Sequence, residues 1–239
     1  MNSTKWYVIS GGALGVFGAL LVFAGNPGNM GVCAACFLRD ITGALGFHRA
    51  GVVQYVRPEI IGLILGGFLA SLFWTKEFAP STGSSPFTRF FLGVFAMIGC
   101  LVFLGCPWRA FLRLGGGDMT AIAGFLGLFA GVAIGVFLKK RGYELSDGER
   151  ANFAVGILPA VIGILLLLAL VFGLKVGENG ALFTSAKGPG AQHAAVWVSL
   201  VAGMVVGGLM YKSKFCSVGA FGRLFKRDFS MFSGIVSII

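Results

Sequence analysis

Five cysteines carry most of the chemistry that this sequence offers. Cys33 and Cys36 form a Cys-x-x-Cys, Cys106 sits in Gly105-Cys-Pro-Trp-Arg109, and Cys216 sits in Phe215-Cys-Ser-Val-Gly219. Each lies in an apolar setting beside glycine or proline, and an arginine follows three to seven residues later: Arg39, Arg109 or Arg223. A thiol is a weak donor and a weak acceptor, whereas a guanidinium offers a planar fork that matches an oxyanion. Together they suit a small anion with sulfur-like chemistry. The Cys-x-x-Cys also fits thiol-disulfide exchange, because that spacing activates one of the two thiols. Cys100, inside a long apolar run, reads as a small hydrophobe. His48 and His193 read as outer-loop surface residues, and too few ligands gather near one point to predict a metal site.

These residues must be held by membrane helices. Of 239 residues, 56% are apolar and only 12% charged, about half the charge of an average globular chain. Mean hydropathy is +0.88. Such a chain cannot cover a water-facing surface, so disorder, collagen and nucleic-acid binding are excluded together. The 39 glycines suit close helix contacts within a bilayer. Six stretches approach the roughly 20 apolar residues that a crossing requires: 6–24, 59–74, 89–106, 121–138, 151–174 and 191–211. The first is a retained span rather than a cleaved signal, since it lacks a small-x-small cleavage site. The last run, 229–239, is apolar and too short to cross.

The net charge of +10 acts as a topology signal, because basic loops stay in the cytoplasm. Lys139, Lys140, Arg141 and Arg150 place that loop inside, and counting back puts the N-terminus in the cytoplasm of an inner-membrane protein. Residues 175–190 then lie outside and 212–228 inside. Arg49, Arg57 and Lys76 read as membrane-edge anchors. Asp40 and Asp228 read as partners of neighbouring arginines, and Glu59 and Asp118 as helix-start acids.

The cysteine segments 25–40, 105–117 and 214–229 are neither clean helices nor ordinary loops. Irregular backbone at membrane depth requires protein or a watery cavity around it, and half-helix N-termini facing such a cavity attract anions. The first and third segments share the order Cys, small residues, Phe, Arg. Five spans separate their starts, so the second copy is inverted. The expected organisation is an all-α polytopic membrane protein of about six transmembrane helices with broken or re-entrant segments. Residues 1–150 form a first repeat, 151–190 a connecting span and outer loop, and 191–239 the start of an inverted second repeat.

The runs Gly28-Asn-Met-Gly-Val-Cys-Ala-Ala-Cys-Phe-Leu-Arg-Asp40, Gly105-Cys-Pro-Trp-Arg109 and Phe215-Cys-Ser-Val-Gly-Ala-Phe221 together resemble the YeeE/YedE family of sulfur-transport membrane proteins. The likeness is strongest to its YedE branch, linked with selenium metabolism. The resemblance implies pseudo-symmetric halves whose broken helices meet in an hourglass. It implies that thiols pass the anion inward by hydrogen bonding, without a covalent step. By motif, Cys33 and Cys106 lie on that path, Cys216 is the inverted equivalent of Cys33, and Cys36 is an extra cysteine of this branch. Arg39 and Arg109 attend the anion. Family members carry a further Gly-Cys-Pro-x-Arg element in the second half. This chain stops at Ile239 inside an apolar segment, so a truncated or split second half is expected, supplied by a homo-oligomer or a companion polypeptide.

The function expected is therefore a permease, not an enzyme, for a small sulfur or selenium anion such as thiosulfate. It needs no cofactor and no metal, and a cytoplasmic sulfur or selenium carrier protein is a further expected partner. The competing expectation is a membrane thiol-disulfide oxidoreductase using Cys33 and Cys36, with Cys106 completing an electron path to a quinone. Residues 115–117 are glycines followed by Asp118 and lack the Lys-Ser/Thr of a phosphate cradle, so nothing points to ATP-driven pumping.

Overall fold

The computed structural model describes residues 3–28, 30–76, 78–103, 105–173 and 182–239; the last residue of the expected 151–174 span and residues 175–181 of the expected outer loop lie outside them. Among the described residues the chain is all-helical. Five helical stretches are long and apolar enough to cross a membrane. They are α1 (Ser3–Phe23), the stretch of α4 (Pro86–Val102) and α5 (Pro107–Gly115), α6 (Ala121–Lys140), α7 (Phe153–Val171), and the stretch of α8 (Val196–Ser213) and α9 (Ser217–Leu224). At 1.5 Å per residue a helix of the length of α1 reaches about 31 Å, the thickness of a hydrocarbon core. The span expected at 59–74 is helical but shorter: α3 (Pro58–Leu69) runs into a single π turn, Ala70–Trp74.

Short helices stand between the long ones. These are α2 (Ala34–Ala44), α5, α9 and α10 (Phe232–Val236). Prolines set several starts: Pro58, Pro86 and Pro107 occupy the first turns of α3, α4 and α5, where the missing N–H costs nothing. The apolar run expected at 89–106 therefore divides, with α4 ending at Val102 and α5 beginning after Cys106.

The tightest packing joins α3 to α8. A Cβ on Gly62 would meet the carbonyl of Leu200, and one on Gly66 that of Met204. From the other side, a Cβ on Gly203 would meet the carbonyl of Glu59, and one on Gly207 that of Leu63. Two small-xxx-small faces thus oppose each other and bring the backbones together. α1 packs against α8 and α10, where Ser237 Oγ donates to the Val8 carbonyl at 3.0 Å. By contrast α4 buries none of its side chains, and α6 buries only Ala121. Phe87, Phe95, Leu126, Ile134 and Leu165 point outward, as lipid-facing surfaces do.

Candidate functional site

The site is assembled at the starts of two short helices. Cys33 is the N-cap of α2, with φ −115° and ψ 100°, and its sulfur accepts from the Cys36 N–H at 3.4 Å. Cys106 is the N-cap of α5, with φ −75° and ψ 170°. Extended backbone at the cap leaves the first N–H groups of each helix unpaired within the helix. Cys106 is buried in one apolar cluster with Cys33, Ala35 and Cys36 at the start of α2. Both helix starts therefore meet at one cluster of thiols.

The Cys33 thiol interacts electrostatically with those of Cys36 and Cys106 in the same cluster. All three are buried, at 0%, 2% and 7% exposure. They share an apolar cluster with Met30, Phe37, Ile41 and Ile60. Arg109, in the first turn of α5, donates from Nη1 to the Cys36 sulfur at 3.3 Å. The cluster combines three soft sulfur contacts, a forked cation and two positive helix ends. Each helix end favours an anion by about 0.3–1 kcal/mol when exposed and up to ~2 kcal/mol when partly buried.

Of the expected path residues, Cys33, Cys36, Cys106 and Arg109 meet here. Arg39 stands one step back. It acts electrostatically on Cys36, but Nε and Nη2 both donate to Asp40 Oδ1, at 3.1 and 2.7 Å. Cys216 does not join the thiol group in any described contact. It caps α9, exposed, and accepts from the Gly219 N–H at 3.3 Å. That capping contact, from the third residue on, is the one Cys33 makes in α2. An apolar groove of about 570 Å³ runs beside the cluster, lined by Cys100, Gly105, Pro107 and Val218 among others. It reaches from the start of α5 to the start of α9. Cys100, expected only to pack, is half-buried against the same cysteine cluster.

The structure corrects the reading of Arg57 as a membrane-edge anchor. It is fully buried. Its Nε donates to Asp40 Oδ2 at 2.8 Å, Nη1 to the Gln192 carbonyl at 3.0 Å and Nη2 to the Pro189 carbonyl at 2.7 Å. The guanidinium also lies over the rings of Phe37 and Tyr55. Asp40 is buried beside two arginines, and Asp228 pairs with Arg223 at 3.2 Å, both as expected of them. Arg57 ties α2 to the segment ahead of α8 and so fixes the cysteine-bearing helix in place. The signal for its burial was its position between Val56 and Pro58, where an anchor would have polar neighbours. His193 is exposed, as expected of a surface residue, and stacks on Tyr55 with centroids 4.3 Å apart.

Among the described residues no group of three or more His, Cys, Asp or Glu side chains is placed to hold a metal ion. No protein-family model, curated protein or solved structure matches this chain.

Proposed function

We propose that the chain is a membrane permease for a small sulfur- or selenium-containing anion, thiosulfate being the working example. The observation that carries this reading is the convergence of Cys33, Cys36 and Cys106 with Arg109 at the starts of α2 and α5. Thiols offer a soft anion several weak contacts in series, and weak contacts allow release as well as capture. Arg109 and the helix ends supply the charge that draws the anion into an apolar setting. The matched capping of Cys33 and Cys216 supports an inverted repeat, with α8 and α9 answering α1 and α2. The resemblance to the YeeE/YedE family, an inner-membrane location and a cytoplasmic N-terminus belong to the same proposal.

The test is uptake of labelled thiosulfate and selenite by cells that lack their own importers and express this chain. Uptake by the wild type, lost in Cys106→Ala at equal membrane expression, is the expected result. Cys106→Ala uptake equal to the wild type's would remove the thiol path.

A second reading rests on the Cys33–Cys36 pair, in which the Cys36 N–H donates to the Cys33 sulfur. Loss of two protons and two electrons to a quinone would join the two sulfurs, making the chain a thiol-disulfide oxidoreductase. Thiol trapping separates the two readings. A Cys33–Cys36 disulfide that changes with quinone supply belongs to redox chemistry, and transport requires neither.

A further inference from the structure

Glu59 has no part in the thiol cluster, yet its placement is unusual for a carboxyl group. It lies in the first turn of α3, fully buried. Asn26 Nδ2 donates to its Oε1 at 2.7 Å and Ser199 Oγ to the same oxygen at 2.8 Å. Oε2 is buried and has no hydrogen-bond partner among the described residues. The Tyr55 hydroxyl, whose phenol interacts electrostatically with Glu59, is likewise buried and unpartnered.

The groups around this carboxyl are few. Tyr55 and Arg57 precede it in the chain, and Arg57 is engaged by Asp40, itself bonded to Arg39. From the segment ahead of α8 comes His193, stacked on Tyr55. The residues 196–210 of α8, all of α7, and α1 beyond Tyr7 carry no ionisable side chain. From α2, Asp40 engages the neighbouring Arg57, and the thiols share a cluster with Ile60. An ionised carboxylate left with two neutral donors in such a place is expensive, and a buried intramembrane acid is a functional candidate by default.

The hydrogen bonds treat the two carboxyl oxygens differently. Both donors converge on Oε1, as on the carbonyl oxygen of a carboxylic acid, which leaves Oε2 for a proton. A divalent cation would need several oxygen ligands, and here only Oε2 and the Tyr55 hydroxyl are open. We propose that Glu59 is a proton-exchange site that couples proton movement to anion transport. The inference rests on the permease reading above. One proton binds Oε2 from the outer water, neutralises the carboxylate as the anion enters, and leaves to the inner water after the anion is released. Charge repulsion makes the two bindings favour each other, and the linkage is reciprocal. The mechanical connection is Asn26. It donates to Glu59 and to the Gly31 carbonyl, and its Oδ1 accepts from the Ala194 N–H at 2.9 Å. The segment leading to Cys33 and the start of α8 are thus joined through the residue that reads the carboxyl.

The experiment uses the purified full chain in liposomes. Thiosulfate uptake is measured with and without an inward proton gradient, for the wild type and for Glu59→Gln. The expected result is a severalfold stimulation by the gradient in the wild type and none in Glu59→Gln. Wild-type uptake that ignores the gradient overturns the coupling and leaves the permease standing. No wild-type uptake in either condition overturns the permease reading, and the coupling with it. Infrared difference spectra between acid and neutral pH give a readout independent of transport. A protonated-acid carbonyl band present in the wild type and absent from Glu59→Gln supports the site, and its absence from the wild type overturns it. Where Glu59→Gln fails to assemble, Glu59→Asp keeps an acid and must move that band.

Discussion

Arg109 reaches from the first turn of α5 to the sulfur of Cys36 in the first turn of α2, with Nη1 3.3 Å from Sγ. The contact joins two elements that lie 73 residues apart and holds a forked cation against the thiol group. A charge-assisted hydrogen bond contributes about 1.5–3 kcal/mol. Arg109→Ala should therefore weaken thiosulfate binding by roughly ten- to a hundredfold. Arg109→Lys should recover part of this, since charge remains but the planar fork is lost. Calorimetric titration of the purified variants with thiosulfate is the check, and unchanged affinity in both would assign Arg109 to packing.

Cys106 has a different position in the site, because it caps α5 and is buried in the cluster that holds Cys33 and Cys36. Cys106→Ala should abolish most uptake while the protein still folds and inserts, since the change removes one atom from an apolar cluster. Cys100→Ala should change uptake little. Cys100 touches the cluster from α4, outside both helix starts. Equal losses in the two variants, at equal expression, would show that the path runs along the apolar groove instead.

Arg57 and Asp40 form an ion pair with neither side chain exposed, Nη2 to Oδ2 2.8 Å. Removing one partner leaves an uncompensated buried charge, at a cost of about 3–5 kcal/mol. Asp40→Asn and Arg57→Met should each lower thermal stability strongly. The double variant should be less unstable than the sum of the two. Thermal unfolding in detergent, followed by a double-mutant comparison, measures this. Additive losses would mean that the carbonyls of Pro189 and Gln192, rather than Asp40, hold Arg57.

Hydropathy made the long helices readable from the sequence. Cys33 and Cys36 were paired by their spacing alone. The arrival of Cys106 beside them was legible only as a similar motif, because it depends on how α5 packs on α2. Arg57 was misjudged, and the burial of Glu59, a helix-start acid as read, went unseen for the same reason. A charged residue at the edge of an apolar run normally faces water, and only tertiary partners such as Asp40, Asn26 and Ser199 can bury it. Those partners lie 17, 33 and 140 residues away, beyond the reach of local pattern. The shortness of α3 was hidden too, because its apolar run continues into the π turn.

Asp118 links α5 to α6 outside the spans. Its carboxylate accepts from the Thr120 hydroxyl, from the Thr120 N–H at 3.0 Å and from Arg113 Nε at 2.8 Å. The Thr120 hydrogen bond above all, then that from Arg113, holds its pKa below the ordinary 3.8. A depressed folded-state pKa stabilises the fold above the unfolded value, and the contribution is lost as pH falls through the folded one. The wild type should be more stable than Asp118→Asn at neutral pH, with the gap closing as the pH drops below about 4. Melting temperatures of the pair across that range test this. A gap that stays constant down to strong acid would assign it to the Thr120 turn geometry rather than to charge.

The α3–α8 contact gives the sharpest structural prediction, because it leaves no room for a side chain. At Gly66 a Cβ would run into the Met204 carbonyl, and at Gly203 into that of Glu59. Backbone atoms cannot swing aside as the end of a side chain can. Gly66→Val and Gly203→Val should therefore force the helices apart, and each should lower the yield of assembled protein sharply. Gly135→Val on α6, where a Cβ meets nothing within 4 Å, is the matched control and should fold normally. Separation of α3 from α8 would also pull Ser199 away from Glu59 Oε1, since the two residues sit on opposite sides of this contact. Mild variants such as Gly203→Ala should then disturb the Glu59 carbonyl band before they disturb the infrared amide signal of the helices. Loss of both together would mean that the contact serves assembly alone.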